Sequence, residues 1–226
     1  MIFYFSATGN SKQVATQLAQ ITNEKLIDVT DCLTNGRTDF EVHSDERIGF
    51  VTPTYFWGLP VLMVDFVKRL QLKGYSPQYV YMVSTYGSFC GGTHKHLGRL
   101  LKPKGIALDG VFSIKMVDEW TPIFDLSNQE KNKQVTAAAK PAIYNTCMLV
   151  AERAKGNFMK WPVPDLLCRA FYIGYGISRK TSNFYVLDSC TGCGLCEKNC
   201  PLGAITLKDG KPTWTKDKCA ICLRCL

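Results

Sequence analysis

The sequence predicts an α/β domain built on a parallel sheet, followed by a small cysteine-rich module of mixed α and β structure. Up to about residue 155, short apolar runs alternate with helical patterns, and each apolar run ends in a polar or glycine-rich loop. This order is typical of a parallel sheet with helical crossovers. Between residues 190 and 225, seven of the eleven cysteines fall in two runs. The length of 226 residues accommodates one domain of about 150 residues and a smaller one.

The first predicted strand leads into a loop suited to binding phosphate. Residues 1 to 5 are apolar, and Val14, Leu18 and Ile21 recur at helical spacing after the loop SATGNS. Backbone N–H groups at the start of a helix bind phosphate, and a glycine lets the backbone come close. The loop lacks the GxGxxG and GK[ST] patterns of other nucleotide sites, and a loop that only caps the helix is the alternative. Its candidate phosphate ligands are Ser6, Thr8, Gly9, Asn10 and Ser11.

Two later strands end in aromatic loops. The apolar run at residues 48 to 51 is followed by TPTYFWGLP, and the run at residues 79 to 84 by TYGSFCGG. Three consecutive aromatic residues at a strand end are costly to expose and suited to stacking on a planar ring, with packing in a core or interface as the alternative. In open α/β sheets ligands lie outside the carboxyl ends of the strands, so all three loops are expected to meet at one site.

These loops resemble those of the flavodoxins. FSATGNS is similar to the flavodoxin phosphate loop, and TPTYFWG and STYGS are similar to the two loops that flank the isoalloxazine ring of flavin mononucleotide (FMN). The resemblance implies a flavodoxin-like, doubly wound, five-stranded parallel sheet of order 2-1-3-4-5. It also implies that the first loop holds the FMN phosphate. The FMN-binding residues that it implies in the other two loops are Pro53, Thr54, Tyr55, Phe56, Trp57, Gly58, Thr85, Tyr86, Gly87 and Gly91.

The fifth strand, at residues 111 to 116, ends in an acidic segment. Asp118, Glu119 and Trp120 follow it and are candidates to approach the edge of the flavin, because they lie at a strand end like the other three loops. A solvated acidic turn is the favoured interpretation.

The cysteine-rich module carries the spacing of bacterial iron–sulfur loops. CTGCGLCEKNCP has the pattern CxxCxxCxxxCP of a [4Fe-4S] ferredoxin, and glycines between the ligands permit the tight curl of the chain. Zinc sites use pairs of CxxC at longer separation, so the pattern favours iron–sulfur over zinc. The predicted ligands are Cys190, Cys193, Cys196 and Cys200 in the first run and Cys219, Cys222 and Cys225 in the second. The other cysteines, expected to be buried small hydrophobic residues, are Cys32, Cys90, Cys147 and Cys168.

Two [4Fe-4S] clusters are expected. In two-cluster ferredoxins the fourth cysteine of each run ligates the other cluster, so Cys200 would complete the second set. The first set lacks its partner, which the spacing would place three residues beyond Leu226. We expect the chain to continue with that cysteine, and a labile or three-iron cluster is the alternative. A strand at residues 184 to 187 and a hairpin turning at Asp209 and Gly210 are predicted around the two runs.

This arrangement resembles the flavodoxin-ferredoxin fusion proteins (ferrodoxins) of anaerobic prokaryotes. The predicted domains are residues 1–156, flavodoxin-like; residues 157–182, a linker with a short helix that packs between the two modules; and residues 183–226, ferredoxin-type. The resemblance implies an intracellular carrier that moves electrons between the clusters and FMN. The sequence has no nicotinamide fingerprint and no acid–base pair near the ring. This favours a carrier over a reductase of a quinone or flavin, and a non-catalytic iron–sulfur sensor is the third possibility.

The charge pattern and the amino end bear on partners and location. Residues 1 to 150 hold 15 basic and 13 acidic residues, and residues 151 to 226 hold 12 and 6. Such a diffuse basic excess can steer acidic redox partner proteins, but without clusters of Lys and Arg we expect no nucleic-acid binding. The apolar stretch at residues 166 to 177 is too short to span a bilayer, and packing is expected there rather than membrane contact. Nothing resembles a signal peptide, so we expect a cytoplasmic protein.

Overall fold

A computed structural model describes residues 1–160 and 163–226, so residues 161 and 162 of the predicted linker lie outside the described part. The strands of the first domain are β1 (Ile2–Tyr4), β2 (Leu26–Asp28), β3 (Asp39–Glu41), β4 (Ile48–Pro53), β5 (Gln71–Lys73), β6 (Val80–Tyr86), β7 (Gly110–Lys115) and β8 (Gly156–Asn157). Six of them form one sheet of order β2-β1-β4-β6-β7-β8. All its neighbouring strands are parallel.

The predicted strand order is confirmed, and the predicted number of strands is one too low. The first five positions of the observed sheet, β2-β1-β4-β6-β7, reproduce the order 2-1-3-4-5. The sixth strand pairs Gly156 and Asn157 with the start of β7. Two residues, one of them a glycine with φ 133°, carry no periodic signal, so sequence patterning could not identify β8. Strands β3 and β5 form a separate parallel pair.

Helices cover both faces of this sheet. They are α1 (Asn10–Thr22), α2 (Val29–Thr34), α3 (Val61–Arg69), α4 (Thr93–Leu101) and α5 (Gln129–Ala151), while α6 (Asp165–Ser178) lies in the predicted linker and α7 (Leu195–Asn199) in the cysteine-rich module. Alternate residues of each strand face opposite sides, which divides the core in two. Phe3 and Phe50 pack with residues of α2, α3 and α4, whereas Ile2 and Val51 pack with residues of α1 and α5. In the part of the chain that is described, none of these helices has the length and apolarity needed to cross a membrane.

The cysteine-rich module contains the predicted hairpin. Strands β9 (Ile205–Lys208) and β10 (Lys211–Trp214) pair antiparallel. Asp209 and Gly210 form the two-residue turn with φ of 50° and 74°, as a type I′ turn requires. The predicted strand at residues 184 to 187 is wrong, since this segment adopts no regular structure. Phe184 instead stacks on Trp214 with ring centroids 5.7 Å apart. The four cysteines outside the two runs are all buried, as predicted.

The second cysteine run is fixed to the end of α6. The Cys219 N–H donates to the Arg179 carbonyl at 2.8 Å, and the Arg179 Nε donates to the Cys219 carbonyl at 2.5 Å. Ala220 is 3% exposed and belongs to the core on the α3 side of the sheet. The run is therefore packed against the first domain rather than tethered to it.

The space around two glycines predicts opposite effects of the same substitution on stability. A methyl group at Gly49 in β4 would overlap the Tyr81 ring on β6, so Gly49→Ala should lower the free energy of unfolding by about 1–3 kcal/mol. Gly98 in α4 has open space around its Cα, so Gly98→Ala should raise that free energy by up to about 1 kcal/mol. Urea unfolding followed by circular dichroism measures both, and equal shifts of the midpoint would contradict the packing.

Candidate functional site

A cavity of about 510 Å³ lies at the carboxyl edge of the sheet. The loops after β1, β4, β6 and β7 form its floor and sides, which brings the three predicted loops together. The predicted residues that line it are Ser6, Thr8, Asn10, Ser11, Pro53, Thr54, Tyr55, Phe56, Trp57, Thr85, Tyr86 and Gly87. Three predicted residues, Gly9, Gly58 and Gly91, are not part of the lining.

Those three glycines shape the walls instead of facing the cavity. A side chain at Gly91, where φ is 56°, would overlap the backbone of Trp57. A Cβ at Gly58 would lie 2.5 Å from the Tyr172 ring. Gly9 precedes α1 with φ 119°, a conformation that favours glycine. Each glycine thus permits a close approach of two backbone segments or a sharp turn.

The loop from Ser6 to Ser11 enters α1 in a conformation that leaves donors at the cavity. The Gly9 N–H donates to the Ser6 Oγ at 3.2 Å. The Ser11 hydroxyl lies 2.7 Å from the Thr85 hydroxyl, which ties this loop to the one after β6. Because α1 begins at Asn10, its first N–H groups lie beside the same loop. This is the local geometry that an anionic phosphate group needs.

The residues from Tyr55 to Gly58 form a tight aromatic turn. The two end residues exchange backbone hydrogen bonds of 2.9 and 2.8 Å, and between them Phe56 and Trp57 have φ of 47° and 59°. Two residues with positive φ make a type I′ turn, which asparagine and glycine occupy far more readily than aromatic residues. In this turn the centroid of the Trp57 ring lies 4.4 Å from the centroid of the Phe171 ring on α6. Such backbone strain persists where the surrounding packing fixes the conformation.

Helix α6, which lies in the predicted linker and matches its predicted short helix, closes the cavity, and this role in the site was not predicted. Phe171 and Tyr175 line the cavity one helical turn apart. The Tyr175 hydroxyl accepts from the Val61 N–H at 3.3 Å and donates to the Ala220 carbonyl at 2.8 Å. The spacing of these two aromatics was the only sequence signal for this role, because the residues that α6 contacts are distant in the chain.

The acidic segment after β7 also lines the cavity, so its interpretation as a solvated turn was wrong. Asp118, Glu119 and Trp120 are all half-buried there. The Trp120 ring packs against the Phe56 ring at 5.7 Å. Its buried Nε1 has no hydrogen-bond partner among the described residues. An unsatisfied donor beside an aromatic turn fits a planar ligand with acceptor atoms, such as the flavin ring.

Glu119 reaches into the loop that precedes α1. Its Oε2 accepts hydrogen bonds from the Thr8 hydroxyl and from the Asn10 Nδ2 at 3.1 Å. Burial raises the pKa of the Glu119 carboxyl, the Thr8 hydrogen bond opposes this rise, and the nearby Asp118 charge adds to it. A carboxylate thus lies among the donors that the sequence assigns to phosphate.

The second cysteine run completes the wall. Ile221, Cys222 and Leu223 line the cavity, and Ile221 and Leu223 have φ of 52° and 58°. The pKa of the Tyr55 phenol is raised well above its usual value by burial first and then by the Cys222 and Tyr175 side chains. The flavin-type cavity and the predicted iron–sulfur ligands therefore share a boundary.

Backbone donors are already aimed at cysteine sulfurs. The Ala204 N–H donates to the Cys200 Sγ at 3.3 Å, and the Ile221 N–H donates to the Cys219 Sγ at 3.2 Å. Hydrogen bonds to sulfur are one of the ways in which proteins tune iron–sulfur clusters. Within residues 1–160 and 163–226, no three His, Cys, Asp or Glu side chains converge as they do around a bound ion.

The thiols of the second set nevertheless act on one another. Burial raises the pKa of the Cys222 thiol to about 11, and the neighbouring Cys225, Cys200 and Cys219 side chains add to the rise. Cys200, from the first run, is among the side chains that act on this thiol, and the two-cluster pairing expects Cys200 beside the second run. Iron would reverse this effect, because a coordinating thiol is deprotonated outright. The donor set therefore fits a thiolate-held cluster.

Two family models match parts of this chain. Residues 1–88 match a model described as a flavodoxin domain, and residues 184–206 match one described as a 4Fe-4S binding domain. No curated protein matches the chain. With the parallel sheet described above, these matches establish a flavodoxin-like fold followed by a ferredoxin-type segment.

Solved structures similar to this chain are distant. Flavone reductase has 15% identity and a TM-score of 0.42 over 95% of this chain and 80% of its own. Rubredoxin oxygen:oxidoreductase from Desulfovibrio gigas has 18% identity and a TM-score of 0.37 over 64% of this chain, which covers only 35% of that protein. An azoreductase from Bacillus anthracis has 10% identity and a TM-score of 0.36 over 65% of this chain and 97% of its own. At TM-scores below 0.5 these likenesses carry no argument about activity.

The two hydrogen bonds of Tyr175 predict a measurable cost of removing its hydroxyl. Tyr175→Phe leaves the half-buried Val61 N–H and the buried Ala220 carbonyl without this partner, so the free energy of unfolding should fall by about 1–3 kcal/mol. Tyr144→Phe is the control, since Tyr144 is 57% exposed on α5. Urea unfolding measures both variants. A loss of unfolding free energy in Tyr175→Phe no larger than that in the control would show that the two hydrogen bonds of Tyr175 do not stabilise the fold.

Proposed function

Because the chain combines a flavodoxin-type domain with a 4Fe-4S ferredoxin-type segment, as flavodoxin-ferredoxin fusion proteins do, it is a redox electron-transfer protein, and we propose that it is a carrier between two [4Fe-4S] clusters and one FMN. The observation that supports this most is the position of Cys222 in the wall of the flavin-type cavity. Electron transfer becomes slower as the distance between redox centres grows. A shared wall keeps that distance short.

The chain's own residues would divide the work of holding FMN. The donors of the loop from Ser6 to Ser11 bind the phosphate, and the aromatic turn with Phe171 and Tyr175 packs on the ring and excludes water. The sulfurs of the second set, with Cys200, hold the cluster nearest to the flavin. When bound, FMN supplies a site for one or two electrons and each cluster a site for one. Burial and N–H···S hydrogen bonds then tune the potentials.

A cofactor analysis tests the proposal directly. After anaerobic reconstitution with iron, sulfide and FMN, the protein should hold about eight iron atoms per flavin. An iron-free or flavin-free protein would overturn the proposal. Turnover of NAD(P)H with a free quinone, without any added ferredoxin, would instead favour a reductase.

The shared wall predicts that one cysteine affects the flavin more than another. A four-iron cluster with four thiolates carries net negative charge, which lowers the potential of a nearby flavin, and this influence weakens with distance. Cys222→Ser removes a thiolate ligand of the cluster expected at this wall, and loss of that cluster should raise the midpoint potential of the bound flavin. Cys193→Ser is the matched control, because Cys193 is exposed and lies outside the cavity lining. Equal shifts in the two variants would contradict the predicted placement of the clusters.

A further inference from the structure

The carboxylate of Glu119 lies where the flavin phosphate is expected, and this has a consequence for flavin selection that rests on the proposed function. Its Oε2 accepts from Thr8 and from Asn10, two of the predicted phosphate ligands. Asn10 also donates to the Val117 carbonyl at 3.0 Å, two residues before Glu119 in the chain. Side-chain donors of the phosphate loop thus attach it to the segment after β7.

The bonds that hold Glu119 are those that a phosphate would use. Both groups are oxyanions that accept hydrogen bonds from hydroxyl and amide donors, and both are stabilised near the first turn of a helix. The two anions cannot share these donors, because like charges within a few ångströms repel strongly in a half-buried site. Either the carboxylate leaves when the phosphate arrives, or the phosphate is kept out.

We propose that Glu119 is an internal competitor of the FMN phosphate. In the flavin-free protein its carboxylate occupies the phosphate cradle, which is the loop from Ser6 to Ser11 with the first turn of α1, and FMN binding displaces it. Part of the binding free energy of FMN is then spent on displacing the carboxylate. Riboflavin has the same ring but no phosphate, so it binds without displacing Glu119. The residue therefore sets how strongly the site prefers a phosphorylated flavin over the bare one.

The residues on either side of Glu119 contact the other two loops of the cavity. Trp120 follows Glu119 directly and packs on Phe56 of the aromatic turn at 5.7 Å between ring centroids. Asp118, which directly precedes Glu119, accepts a hydrogen bond of 3.3 Å from the hydroxyl of Ser88, in the loop after β6. These contacts belong to Trp120 and Asp118 and not to the Glu119 side chain. The Glu119 carboxylate can therefore leave the cradle while the walls of the ring site stay in place, which is why riboflavin affinity is expected not to depend on it.

Flavin titrations of three variants test this competition. Flavin-free protein is titrated with FMN and with riboflavin, and binding is followed by the quenching of flavin fluorescence. Glu119→Ala should tighten FMN binding by about tenfold, the change that corresponds to about 1.4 kcal/mol, because a charged hydrogen-bond acceptor no longer has to be displaced. Glu119→Gln keeps an acceptor without the charge and should give a smaller gain. Glu130→Gln removes the same charge at the start of α5. The Glu130 carboxylate there accepts a hydrogen bond from the Gln134 Nε2 at 3.2 Å and lies outside the cavity lining, so this variant should change neither affinity.

The riboflavin arm separates the possible outcomes. Unchanged riboflavin affinity with tighter FMN binding supports the competition. Equal tightening of both flavins would mean that Glu119 merely crowds the ring, and weaker FMN binding in Glu119→Ala would mean that it holds the cofactor; either result overturns the inference while leaving the proposed function intact. A wild-type protein that binds neither flavin contradicts the proposed function itself.

Inorganic phosphate gives a test that does not depend on the flavin ring. Phosphate that binds the folded protein raises its melting temperature. In flavin-free Glu119→Ala the cradle is open, so phosphate should raise the melting temperature more than it does in the wild type or in Glu130→Gln. The same rise in all three proteins would overturn the inference.

Discussion

The arrangement of the two modules depends on the two hydrogen bonds of the Tyr175 hydroxyl. This hydroxyl accepts from the backbone at the start of α3 and donates to the carbonyl of Ala220, within the second cysteine run. One side chain on α6 thus fixes a helix of the sheet domain and an iron–sulfur loop at the same point. Because the Tyr175 ring also lines the cavity, any movement of the cysteine loop relative to the sheet changes the shape of the flavin site.

Backbone strain is concentrated around this cavity. Of the seven non-glycine residues with positive φ in the described part of the chain, four line it: Phe56, Trp57, Ile221 and Leu223. Ile221 is the least expected, since a β-branched side chain rarely adopts this conformation. Such strain persists only where the surrounding packing determines the backbone. One strained pair lies in the aromatic turn, and the other flanks Cys222.

The parts of the site that could be predicted are those encoded by neighbouring residues. The loop from Ser6 to Ser11 and the cysteine spacing are local patterns, and a local pattern can be recognised without knowing the fold. The role of α6 could not be predicted, because Phe171 gains its meaning only from contact with Trp57, more than a hundred positions earlier. Glu119 was misjudged for the same reason: an acidic turn looks solvated until its partner, Thr8, is known.

The contact between the first cysteine run and the hairpin affects the order in which the module assembles. A Cβ at Gly192 would lie 2.5 Å from the Gly210 carbonyl, so the loop of the first run rests on the turn between β9 and β10. Such a contact spans few residues and costs little chain entropy to close. The second run depends on Tyr175, 45 positions away from Ala220. The cysteines of the first run can therefore gather through contacts within their own module, whereas those of the second take their positions only where α6 and the sheet domain are already folded.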